Sequence, residues 1–143
     1  MKLRLQEASE KEIQNVILSW LNYQPMVIAL QINTTGVFDP RTKEYRRPGR
    51  FVLAGTPDIL ISYTVLGVPV FIGMEVKSRR GIQSPDQKAF QARIEALGSY
   101  YFMVRSLEDA KTVMLHVKLQ TMDRVLKKVS DLQKPEFKIS LQS

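Results

Sequence analysis

The sequence has no cysteine and a single histidine, His116, among its 143 residues. Without cysteine there is no disulfide framework and no thiolate metal site. One histidine excludes zinc clusters built on imidazoles and most histidine-based catalysis. No apolar run approaches the ~20 residues that span a bilayer. The opening stretch, Met1 to Glu12, lacks the apolar segment of a signal peptide. A cytoplasmic location with no membrane partner is therefore expected. Internal repeats and a glycine-rich phosphate loop are also missing. What is present suits a globular chain: 44% of residues are hydrophobic, enough for one domain over residues 1–143 with a real core. Lys and Arg number 21 against 14 Asp and Glu, a formal net charge of +7. A surface this basic favours polyanions, of which nucleic acid is the commonest, although the same charge also serves solubility.

The chain is organised around residues 55–77. Two runs rich in β-branched and aromatic residues, DILISY from Asp58 and VFIGMEVK to Lys77, flank a short connection with Gly67 and Pro69. That is the pattern of a β-hairpin. Alternation along the second strand puts Val70, Ile72, Met74 and Val76 on a core face and Phe71, Gly73, Glu75 and Lys77 on the other. Antiparallel pairing brings Asp58, at the head of the first strand, beside Glu75 and Lys77 at the end of the second. Two converging carboxylates suit a hard divalent cation such as Mg2+, which takes oxygen ligands and keeps several waters. The adjacent lysine can orient or deprotonate a water, or offset phosphate charge. For Glu75 and Lys77 alone, a weak solvated ion pair is the competing explanation.

The rest of the chain supplies covering helices and basic segments. Ser9 and Glu12 form a capping box ahead of an apolar stripe of Ile13, Val16, Ile17, Trp20 and Leu21, a first helix that Pro25 ends. Glu12 can serve that cap or reach the carboxylate site. Met26 to Ile32 reads as a strand. Periodicity is lost from Asn33 to Val52, a segment with Arg41, Lys43, Arg46, Arg47 and Arg50 against Asp39 and Glu44. Repeated guanidinium groups suit phosphate contacts, and a merely solvated loop is the other possibility. Arg79 and Arg80 add a basic turn after Lys77. Ser84, Pro85 and Gln87 open a second helix with a cap, a first-position proline and a capping box, and Phe90, Ile94 and Leu97 form its buried face up to Gly98. Gln87 is either that cap or part of the site. Tyr100 to Val104 is a strand. Ser106 caps a third helical region, over about residues 107–133, whose apolar phase slips near Lys118 to Thr121, predicting a kink or two helices. Helices and strands in this order give an α/β fold, a central mixed β-sheet flanked by helices, with a C-terminal helical extension.

Pro57-Asp58, a hairpin's length, then Glu75-x-Lys77 resembles the PD-(D/E)XK nucleases, whose restriction-endonuclease-like core has this element order. More narrowly, the chain resembles the VRR-Nuc branch over roughly Glu12 to Ser106 (core about 9–106). The shared features are an early helix bearing a glutamate, Asn33-x-x-Gly36, Gly55 before Pro57-Asp58, and Ser84-Pro85-x-Gln87. Nothing beyond Ser106 contributes. The resemblance implies metal-dependent hydrolysis of DNA phosphodiesters, with Mg2+ or Mn2+ held by Asp58, Glu75 and the Val76 backbone carbonyl. It implies further that Lys77 positions the attacking water, Glu12 acts on the outer shell, and Gln87 orients a ligand or touches the DNA backbone. Arg41, Lys43, Arg46, Arg47, Arg50, Arg79 and Arg80 are the expected DNA contacts. Small free-standing proteins of this kind are expected to resolve four-way (Holliday) junctions as homodimers, through the stripe with Met114, Met122 and Leu126 or the first helix around Trp20 and Tyr23. A flap or fork nuclease, and a non-catalytic nucleic-acid-binding module, are the alternatives. Converging carboxylates weigh against the module, since they repel phosphates unless a cation intervenes.

Overall fold

The computed structural model of the chain describes residues 7–34, 36–46 and 52–134. Helix α1 (Glu10–Tyr23) begins where expected: Ser9 accepts the Glu12 N–H, and the Glu12 carboxylate accepts from the Ser9 N–H and hydroxyl. Its buried stripe is Ile17 and Leu21, with Ile13, Leu18 and Trp20 packed at the margin, whereas Val16 is half exposed. Asn22 fastens the helix to strand β1 (Val27–Gln31) by bonding both backbone groups of Ala29.

Strands β4 (Ile59–Val65) and β5 (Val68–Val76) form the expected hairpin. Leu66 and Gly67 turn it with φ of 49° and 76°, the positive values that a two-residue type I′ connection requires at both central positions. Sheet order is β1-β4-β5-β6, with β6 (Tyr100–Val104) running parallel to β5 and the other neighbours antiparallel. A parallel neighbour needs a crossover, supplied by α2 (Pro85–Ala96). Ile59, Ile61, Ile72, Met74, Val76 and Val104 form one face of the sheet, covered by α1 and by α3 (Leu107–Leu132) through Ala110, Met114 and Val117. Each such aliphatic side chain, fully buried, stabilises the fold by about 1.5–3 kcal/mol. Helix α2 covers part of the other face with Ile94 and Phe90, the latter 6.4 Å from the Tyr101 ring. Leu97, expected on that buried face, is the C-cap and stands exposed, and Gly98 ends the helix with φ 81°.

Two expectations are corrected. The segment from Asn33 to Val52 is not pattern-free: β2 (Val37–Asp39) and β3 (Glu44–Arg46) pair as a small antiparallel sheet of their own. Asp39 is buried and holds the turn, accepting the Arg41 N–H on its side chain and the Lys43 N–H on its carbonyl. The Phe38 and Tyr45 rings meet across the pair at 5.3 Å, their planes tilted by 60°. Likewise α3 is one continuous helix of 26 residues. The slip in apolar phase marks where its burial stops: Thr121 is the last buried residue, its hydroxyl returned to the Val117 carbonyl. Among the described residues no helix is long and apolar enough to cross a membrane.

Candidate active site

Register alone builds the centre of the site. Ile59 pairs with Met74, so Asp58, one residue earlier, falls level with Glu75. Asp58 Oδ2 accepts the Val76 N–H at 2.9 Å, which ties the start of β4 to the end of β5. Glu75 points to the α2 side of the sheet and is 3% exposed. Its Oε1 takes the Lys77 ammonium at 3.1 Å and the Gln87 side-chain amide. Its Oε2 is buried without any hydrogen-bond partner. Thus Asp58, Glu75, Lys77 and Gln87 are brought together, as the sequence predicts.

Two glycines allow that convergence. Gly55 (φ 79°) lies so close to α2 that a Cβ there would sit 2.1 Å from the Asp86 carbonyl oxygen and 2.8 Å from the Gln87 nitrogen. The loop before Asp58 is thereby pressed against the first turn of α2, where Gln87 both completes the Ser84 capping box and reaches Glu75. Cap and site contact are held by one side chain. Gly73 leaves room for Pro57, whose Cγ would be 2.9 Å from an added Cβ, and for the Tyr101 ring at 3.3 Å.

Burial pushes the Asp58 carboxyl above its ordinary value of 3.8; the Val76 N–H and Lys77 oppose the rise, and the charge of Glu10 adds to it. Glu75 is likewise raised from 4.5, first by burial and then by the charge of Asp58, with Lys77 and, less, the Asp58 backbone N–H only partly offsetting these. The Tyr101 phenol is pushed up to about 12, chiefly by burial, with Glu75 and Asp58 contributing and Gln83 opposing. Two carboxylates thus share a poorly hydrated corner in which one lysine does not compensate both.

The two glutamates of α1 take different places. Glu12 is spent on the helix cap and lines a separate groove of about 590 Å3 with Arg79 and Arg105. Glu10 instead lines a cleft of about 550 Å3 with Lys11, Gln14, Asn33, Gly36 and Asp58, and its Oε1 accepts the Ser78 N–H at 2.9 Å. Helical spacing contained the signal: Glu10, Gln14, Ile17 and Leu21 form one stripe toward the sheet, and Glu12 is off it. Arg105 pins the far side of the same turn by donating to the Ser78 carbonyl. Of the expected basic contacts, Arg41 and Lys43 occupy the β2–β3 turn, exposed, and the hairpin springs from Gly36 at the cleft's rim. Arg46 closes β3, and Arg47 and Arg50 lie outside the described residues. Arg79 pairs with Glu7 at 3.5 Å on the surface, next to exposed Arg80. Tyr101 and Gly73 carried no motif signal. Among the described residues no three acidic, histidine or cysteine side chains cluster as a closed metal cage.

This architecture, a mixed sheet between helices with Asp and Glu-x-Lys on its central hairpin, is a nuclease-like α/β fold. It is similar to the solved structure of a VRR_NUC domain protein, with a TM-score of 0.52 and 17% identity over 78% of this chain and 89% of that one. The expected resemblance therefore holds for the fold. The sequence itself matches no protein-family model and no curated protein.

Proposed function

We propose that the protein is a divalent-metal-dependent, structure-selective DNA endonuclease that resolves four-way junctions as a homodimer. The observation that carries this reading is Glu75 Oε2, a buried carboxylate oxygen with no partner, beside Asp58 and Lys77. A buried carboxylate oxygen left without a partner is costly, and a hard cation satisfies it with the donor set present. Asp58, Glu75 Oε2 and the Val76 carbonyl are the ligands for Mg2+ or Mn2+. When bound, the ion supplies a nucleophile at neutral pH and neutralises charge building on the phosphate. Lys77, 16% exposed at its side chain, stays paired to Glu75 Oε1 and aims its ammonium at the attacking water. Gln87 holds the other lone pair of that oxygen and fixes the carboxylate's orientation. Glu10 takes the outer position that the family resemblance gave to Glu12. Arg41 and Lys43 on the hairpin, with Arg79 and Arg80, meet the phosphate backbone.

Homodimer formation is supported by the outer face of α3. Leu115, Leu119 and Leu126 are 56%, 55% and 60% exposed, with Met122 between them. Their spacing alternates fours and threes, the pattern of a helix–helix seam. Laid antiparallel against a second copy, with Leu115 opposite Leu126 and Leu119 opposite Met122, the stripe meets itself with apolar residues at every layer. Two symmetric active sites suit a four-way junction, in which each subunit cuts one of two related strands. The test is incubation with four-way junction, flap, fork and linear duplex DNA in Mg2+, Mn2+ or EDTA. Paired nicks in the junction, metal-dependent and with duplex largely intact, are expected. A flap strand cut by a monomer that ignores junctions makes it a flap nuclease instead, and metal-independent binding without cleavage makes it a binding module.

A further inference from the structure

Among the described residues, two buried side-chain polar atoms make no hydrogen bond of normal length: Glu75 Oε2 and the Tyr101 hydroxyl, although the Gln83 side chain lies near enough to the phenol to lower its pKa as a longer-range hydrogen-bonding neighbour. They belong to adjacent strands and the same face. Tyr101 pairs with Gly73 across β5 and β6, two residues from Glu75 on the same side of the pleat. Absence of a side chain at Gly73 lets the tyrosine ring approach β5 closely, and Phe90 packs on it from α2. The ring is thus locked, at 4% exposure, with its polar end in the layer under α2 that holds Glu75, Gln83 and Gln87. Burying a hydroxyl without a partner costs stability, and a phenylalanine would fill this packing position without that cost.

We propose that Tyr101 is a positioning residue of the cation site: through one shared water its hydroxyl donates to Glu75 Oε2 and holds that oxygen toward Asp58. A buried water needs two to four polar partners. Glu75 Oε2 and Tyr101 Oη supply two, and the Gln83 side chain, which acts on the phenol as a hydrogen-bonding neighbour, stands close enough to offer a third, while Asp58 acts on it through its charge. Oε1 is already fixed by Lys77 and Gln87, so Tyr101 completes control of the carboxylate at Oε2. The arrangement stabilises the site loaded with a cation and is unfavourable or neutral in the empty one.

This inference rests on Glu75 being a cation ligand, and the experiment separates the two claims. Mn2+ and Mg2+ affinities are measured by calorimetry for the wild type, Tyr101→Phe, Glu75→Gln and Phe90→Leu, alongside thermal unfolding in EDTA. Tyr101→Phe is expected to weaken cation binding ~10-fold or more, the usual effect of removing an outer partner of a ligand. Its unfolding temperature in EDTA stays level or rises, because an unpaired hydroxyl has gone. Phe90→Leu, which loosens only the ring's packing, lowers that temperature and leaves affinity within ~3-fold of wild type. Wild-type affinity in Tyr101→Phe, with cation binding abolished in Glu75→Gln, overturns the role of Tyr101 and leaves the metal site standing. A marked fall in unfolding temperature for Tyr101→Phe in EDTA also overturns it, since the hydroxyl is then a structural donor. A wild-type protein that binds neither cation overturns both claims.

Discussion

At the scale of single residues, the site is an unfavourable pairing kept in place by its surroundings. Asp58 and Glu75 are both raised above their ordinary 3.8 and 4.5, so between those values and their folded ones the native state holds more protons than the unfolded chain. Stability in EDTA therefore falls as pH rises through that window, and the penalty is full above it. Asp58→Asn keeps an acceptor for the Val76 N–H and removes one of the two charges. It should be more stable than wild type at pH 8 in EDTA, because the burial and like-charge penalty on Asp58 is then gone. The difference should vanish near pH 4, where urea titrations at both pH values check it. Mg2+ at about 100 times its dissociation constant should stabilise wild type by about 2.7 kcal/mol and Asp58→Asn far less. Asp58, Glu75 and Lys77 were legible in the sequence because strand alternation and hairpin pairing are local rules. Glu10, which lines the cleft with Asp58, was passed over for Glu12, because a motif written as one glutamate on an early helix does not specify the turn. Tyr101 was invisible, since its significance lies in a missing partner.

Among the elements, close backbone approach decides how well the site is assembled. Gly73→Ala brings a methyl to 2.9 Å from Pro57 and 3.3 Å from Tyr101, so it should cost about 1–3 kcal/mol and displace Asp58 through its neighbour. Gly55→Ala meets backbone at 2.1 Å in addition to its positive φ, so the loop and α2 must separate. That variant should lose more stability and should free Gln87 from Glu75, seen as faster amide exchange over the first turn of α2. The β2–β3 hairpin is predicted to touch phosphates. Replacing Arg41 and Lys43 by alanine should flatten the plot of log K against log salt by about 0.9 for each phosphate that is no longer neutralised, and an unchanged slope removes the hairpin from the interface. Sequence periodicity located the three helices and the hairpin β4–β5, whose apolar patterns span seven or more residues. It missed β2 and β3, each three residues long, because their order comes from the Asp39 turn and one aromatic pair. It also read a kink or a break into α3, since a change in what a helix faces looks the same in sequence as either.

For the whole molecule, one face of the sheet packs on α1 and α3, while the end of the central hairpin stays open between the cleft rim and α2. On the proposed reading, the exposed α3 stripe couples assembly to substrate. Leu119→Glu together with Leu126→Glu should convert a dimer to a monomer in light scattering while leaving each site's cation affinity unchanged. Junction resolution should then drop to single nicks. A mass unaltered by these changes, or monomeric in the wild type, moves the seam elsewhere or removes it. The measurement closest to the chemistry is cleavage of a four-way junction by wild type, Asp58→Asn and Glu75→Gln in Mg2+, with DNA binding followed in parallel. Wild type is expected to cut, and each variant to lose cutting by at least ~100-fold while binding DNA as tightly or more tightly, because negative charge has left a surface that faces phosphates. A protein lacking both carboxylates that cuts at the wild-type rate would show that its chemistry lies elsewhere.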